Sequence, residues 1–99
     1  MKEEFKNVNY ENCIGTVFAE NDRYIFACDE NSVNCDCKSF EILFNEIDKE
    51  DMRKQFNSVN NMQTITITTK DKQSKFELHF GFSDEYSRFI NNIRKIIFM

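Results

Sequence analysis

At 99 residues with a net charge of −4, the chain has room for one domain and lacks the basic face that generic binding to duplex nucleic acid needs. Its 30 % charged residues, eleven Phe and three Tyr describe a solvated surface around an aromatic core and exclude a disordered tail. No apolar run reaches the roughly 20 residues of a membrane span, and Met1-Lys2-Glu3-Glu4-Phe5 lacks the apolar stretch of a signal peptide.

The chain therefore reads as intracellular, with its four cysteines as thiols. Phe5, Val8 and Tyr10 open a first extended segment. Ile14 to Ala19 is a β-rich run interrupted by Gly15. Glu20-Asn21-Asp22 is turn chemistry, because Asn and Asp bond their own backbone and tolerate left-handed dihedrals. Arg23 to Cys28 returns as the second arm of a hairpin. Residues 29–37 are polar and turn-prone, which predicts a loop. Phe40, Ile42 and Phe44 then alternate into a strand, and Ile47 reaches back toward the core.

Residues 48–57 fit two patterns. Met52 and Phe56 suit an i, i+4 helical pair or a period of two. An edge strand is the preferred reading, because 58–61 resembles a turn and a strong β-branched strand, 64–69, follows. Residues 70–73 form a second hairpin turn. Phe76, Leu78 and Phe80 alternate with Glu77 and His79, so His79 faces outward or sits at a rim.

The last element is the clearest. Ser83 is placed to cap a helix, with Asp84 and Glu85 in its favoured acidic first turn and Arg94 and Lys95 near its end. Tyr86, Phe89, Ile90, Ile93 and Ile97 form one apolar stripe at helical spacing over about 84–97. The stripe is expected to dock the helix on the core.

Strands followed by a single terminal helix, without βαβ alternation, predict an α+β, mainly β fold: a bent antiparallel sheet of about seven strands capped by one C-terminal helix. Val8-Asn9-Tyr10, Gly15-Thr16-Val17-Phe18, Arg23-Tyr24-Ile25-Phe26-Ala27, Phe40-Glu41-Ile42 with Glu46-Ile47, and Phe76-Glu77-Leu78-His79-Phe80 together resemble the PH-like superfold. Most similar is the N-terminal PH-like domain of the TFIIH core subunit. The first hairpin and the 40–47 segment also resemble the GRAM-type domain.

The TFIIH resemblance implies a nuclear module that occupies residues 1–99 at the start of a longer chain. It would recruit transcription and nucleotide-excision-repair factors through their acidic, hydrophobic segments, beside other TFIIH subunits. The GRAM resemblance implies instead a cytoplasmic, membrane-peripheral domain that binds phosphoinositides. In the TFIIH-type domain a basic groove receives the partner. The matching stretch here, Asp48-Lys49-Glu50-Asp51, is largely acidic, and Thr stands where that family has Gln.

The predicted partner-binding residues are thus Lys49, Arg53 and Lys54, the outward face Thr64, Thr66 and Thr68, and Lys70. That face also fits the plain solvated side of a sheet. A lipid head group would meet Glu20, Asp22 and only one base, Arg23, in the first hairpin turn. Cys35-Asp36-Cys37 is not a zinc pair with a second pair to match it. With one His, no phosphate loop and no catalytic motif, neither an enzyme nor a cofactor is expected.

Overall fold

The computed structural model describes residues 2–29, 38–57 and 63–97. Six strands run β1 (Glu3–Tyr10), β2 (Cys13–Ala19), β3 (Arg23–Cys28), β4 (Phe40–Leu43), β5 (Thr64–Thr68) and β6 (Lys75–Phe80). Two helices, α1 (Lys49–Asn57) and α2 (Ser83–Ile97), complete the fold. All pairings are antiparallel, in the order β4-β3-β2-β1-β6-β5. The chain is α+β and mainly β, a curled half-barrel with a C-terminal helix.

Two expectations are corrected. Among the described residues there are six strands, not seven, and the expected edge strand at 48–57 is the helix α1. Asp48 explains the choice: its Oδ1 accepts the N–H of Asp51 at 3.1 Å, satisfying one of the first-turn donors a helix leaves open. Glu50 and Asp51 follow in the first turn, with Lys54 in the last. The turn expected at 58–61 lies outside the described residues.

β1 is the hub that curls the sheet. Its inward residues Phe5 and Val8 are three apart rather than two, and the register with β2 shifts between them. Asn7 takes up the extra residue at a left-handed φ of 59°. Beyond this bulge, Val8, Asn9 and Tyr10 pair with β6 as well as β2. The bulge's displaced backbone groups find partners in Gly81 and in the first turns of α2. Gly81 N–H donates to the Asn7 carbonyl at 2.9 Å, and Lys6 N–H donates to Glu85 Oε2 at 2.8 Å. Arg88 donates to the Glu4 carbonyl at 3.2 Å.

The half-barrel is pinned beyond its edge strands. After a 3-10 turn at Phe44–Glu46, Ile47 bridges Thr69, and Asp48 N–H donates to the Thr68 carbonyl at 2.8 Å. Ile47 is fully buried, as its sequence position suggests. Tyr10 and Cys13 close the first hairpin across Glu11 and Asn12, both left-handed at φ 50° and 67°. This is the two-residue geometry that matches strand twist.

α2 begins one residue earlier than expected. The Phe82 carbonyl accepts the Tyr86 N–H, so Ser83 is the first helical residue rather than the cap. Its stripe buries Phe89, Ile93 and Ile97, with Tyr86 and Ile90 half-buried at the margin. Phe89 sits among the rings of Phe5, Tyr24 and Phe80, at centroid distances of 5.2, 5.1 and 5.2 Å. A second aromatic cluster, Tyr10, Phe26, Phe40 and Phe76, fills another part of the core.

Tyr24 ties helix to sheet. Its ring is fully buried, and its hydroxyl donates to Asn92 Oδ1 at 2.6 Å. Burial, and then the nearby charge of Glu3, pushes the phenol far above its ordinary 10.0. The neutral form is favoured in the fold, so its contribution is complete below pH 10.0 and is lost as pH rises above that value, where unfolding releases the proton. Urea midpoints measured from pH 8 to 11 should fall on the alkaline side, and Tyr24→Phe should flatten that fall. The same variant should lose about 1 kcal/mol at neutral pH with the Asn92 bond.

Candidate interaction site

The predicted partner-binding residues are not gathered on one face. Lys49, Arg53 and Lys54 are all exposed on α1, where Arg53 donates to Glu50 at 2.7 Å. Lys70 is exposed in the β5–β6 turn, its N–H donating to the Glu46 carbonyl. The Thr row is divided. Thr68 is buried, 4 % exposed, because α1 covers the end of β5 and Asp51 Oδ2 accepts its hydroxyl at 3.0 Å. Thr66 exchanges two backbone hydrogen bonds with Gln55 of α1. Thr64 Oγ1 lies 3.1 Å from His79 Nδ1. An open Thr face running beside an edge strand of bases does not form, because the segment carrying those bases is helical.

The helix creates a different site. A cleft of about 250 Å³ lies between the C-terminal half of α1, the start of β5 and the outer side of α2. Phe56, Ile65, Tyr86 and Ile90 supply its apolar surface, and Gln55, Thr64, Ser87 and Asn91 its neutral polar groups. Among the described residues the only charged one lining it is Arg94, in a chain whose net charge is −4. The Arg94 guanidinium lies 4.9 Å from the centre of the Phe56 ring, a cation–π contact that joins the two helices. In the sequence, Arg94 reads only as a favourable charge near a helix C-terminus, and Phe56 as an ambiguous apolar residue.

A larger cleft of about 650 Å³ lies on the outer sheet face, lined by Asn9, Asn12, Thr66, Lys75, Glu77 and His79 among others. There His79 Nε2 is 2.7 Å from Glu77 Oε1, with Thr64 on the other ring nitrogen. Hydroxyl, imidazole and carboxylate thus stand in a relay order. Their setting is an open sheet, with the side chains of His79 and Glu77 48 % and 61 % exposed. Water competes there for every charge a reaction would develop, so the arrangement has none of the dry, preorganised field such catalysis uses.

At the β2–β3 turn, where a head group would have to bind, Arg23 is committed. It donates to Asp22 at 2.8 and 3.2 Å and pairs with Glu41. Its hydrogen bond and charge hold the Asp22 carboxyl below the usual range. The one base available to an anionic head group is already neutralised by two acids.

Cys28 is a thiol, as expected, but Cys13 is disulfide-bonded and 1 % exposed. This corrects the reading of Cys13 as a core thiol. Spacing does not disclose pairing. The Cys35-Asp36-Cys37 run lies outside the described residues. Among the described residues no group of three or more His, Cys, Asp or Glu side chains could hold a metal ion, and no helix is long and apolar enough to cross a membrane. No protein-family model, curated protein or solved structure matches the chain.

Proposed function

We propose that the chain is a non-catalytic protein-interaction module of the PH-like type that receives acidic, hydrophobic peptide segments. The α1–α2 cleft is the observation that carries this reading. Its apolar lining suits one or two large apolar anchors, and its single charge, Arg94, suits a flanking carboxylate. The resemblance to the TFIIH core-subunit domain would make the partners transcription and excision-repair factors in the nucleus, alongside other TFIIH subunits if the chain continues. The curled sheet with its one docked terminal helix supports that resemblance. The neutralised Arg23 disfavours the phosphoinositide alternative.

The test is a titration of the labelled protein with a short peptide carrying Phe and Leu between Glu and Asp residues, read by NMR shifts. Shifts are expected at Phe56, Ile65, Ile90 and Arg94. Arg94→Glu should weaken binding by about tenfold or more, roughly 1.4 kcal/mol, and binding should weaken with salt. Shifts confined to the outer sheet face, or equal affinity for Arg94→Glu, would sink the reading. Strong, salt-sensitive binding to anionic vesicles would favour the membrane alternative instead.

A further inference from the structure

An antiparallel sheet with one solvated face carries polar residues outward, and β6 does so with Lys75, Glu77 and His79. β2 and β3 break that rule. Phe18 lies between buried Val17 and Ala19, and Ile25 between buried Tyr24 and Phe26, so both point away from the core. Ile14, 47 % exposed, continues this outer strip along β2, and Ala27 continues it along β3. The buried side chains of α1 and α2, Met52, Phe89, Ile93 and Ile97, belong to the core on the opposite side.

The register turns the strip into a row across four strands. Glu4 of β1 stands opposite Phe18, Phe18 opposite Ile25, and Ile25 opposite Glu41 of β4. An exposed carboxylate therefore flanks the apolar pair on each side. Three strand spacings of about 4.8 Å place the two acids about 14 Å apart. An α-helix with its side chains is about 10–12 Å across. Laid along β2 and β3, such a helix would set an apolar stripe on Phe18 and Ile25 and a base beside each acid.

The chain's own bases show the chemistry this row accepts. Lys2 Nζ lies 4.6 Å from the centre of the Phe18 ring and 3.8 Å from Glu20 Oε1. Arg23 pairs with Glu41. Glu4 forms no ion pair among the described residues.

We propose that the outer face of β2 and β3 docks a basic amphipathic helix of a partner protein. Its apolar stripe covers Phe18 and Ile25, and its Lys or Arg side chains meet Glu4 and Glu41. This face shares no residue with the α1–α2 cleft and takes a segment of opposite charge.

The probe is a helical peptide of about 16 residues, with Leu along one side and Lys along the other, titrated into the labelled protein. Amide shifts are expected at Glu4, Phe18, Ile25 and Glu41, and binding should weaken with salt. A scrambled peptide of the same composition has the charge without the stripe and should bind at least about tenfold more weakly. Glu4→Lys, at an exposed position, and Ile25→Thr, which keeps a β-branched residue in the strand, should each weaken the helical peptide about tenfold. Should Ile25→Thr fail to fold, Glu4→Lys decides. Equal binding of the scrambled peptide overturns the proposal, because bulk charge would then explain it. Shifts centred on the α1–α2 cleft or an unchanged affinity for Glu4→Lys overturn it too. So does self-association through Phe18 and Ile25 without peptide, which would make the occupant a second copy, or adsorption of this face to neutral vesicles, which would make it a lipid surface.

Discussion

Phe89→Ala is expected to bring the domain close to unfolding at ambient temperature. Phe89 is fully buried at the centre of the α2 stripe, and its ring meets three others that belong to β1, β3 and β6. Truncating a buried Phe costs about 3–5 kcal/mol in lost transfer energy and residual cavity. The edge-to-face and tilted ring contacts contribute about 0.5–1.5 kcal/mol each beyond area. A chain this small sits toward the lower end of the usual ~5–15 kcal/mol of stability. In urea the midpoint should fall by about 2 M for a typical slope of about 1–3 kcal/mol/M. Phe89→Leu, which keeps much of the volume, should lose less than half as much. A loss below about 1 kcal/mol for Phe89→Ala would mean that α2 does not hold the half-barrel together.

The strands and α2 were legible because each carries a strong local period. The β-branched 64–69 run, the 76–80 alternation and the α2 stripe each admit one reading. α1 was not, for a physical reason: with nine residues and two apolar anchors four apart, it satisfies periods of two and 3.6 equally. The deciding signals were nonetheless present in Asp48 as a cap and in the acid-to-base order from Glu50 to Lys54. The missing seventh strand and the divided Thr row both follow from that one ambiguity.

The β1 bulge also left a trace, since Phe5 and Val8, both inward, are spaced by three. The residue that absorbs it, Asn7, is of the type that tolerates left-handed backbone. The candidate cleft was not legible. It depends on α1 and α2, whose lining residues Phe56 and Tyr86 are far apart in the chain, meeting across the start of β5, and no local pattern encodes that contact. The Gln55–Thr66 exchange is of the same kind. A Gln on a short helix looks like surface until the edge it faces is known.

Gly15→Val is expected to be at least as damaging as the loss of Phe89, through excess rather than absence. Gly15 lies in β2 opposite Cys28 of β3 and reads in sequence as an interruption of a β-rich run. Its place is set by room. A Cβ here would fall on the Ala27 carbonyl oxygen, and would stand 2.8 Å from Phe26 Cζ and 2.9 Å from the Ala27 carbonyl carbon. Two of those three neighbours are backbone, which a side-chain rotation cannot move, so β2 and β3 must separate to admit it.

Overpacking of a well-filled core costs about 1–3 kcal/mol where side chains can yield. Against backbone the loss should exceed that range even for Gly15→Ala, and Gly15→Val should leave no cooperative transition. Gly81→Ala supplies the contrast. Its Cβ would lie 3.3 Å from the Asn7 carbonyl oxygen and 3.5 Å from Asn7 Cβ, at an exposed position without a left-handed φ. There the stiffening of the unfolded chain, worth about 0.4–1 kcal/mol in favour of Ala, can offset the tight contact. Thermal melts of the two Ala variants should therefore diverge, with Gly81→Ala within about 1 kcal/mol of the parent. Equal small losses would mean that β2 and β3 do not approach closely at Gly15, and that the curl of the sheet originates at the Asn7 bulge alone.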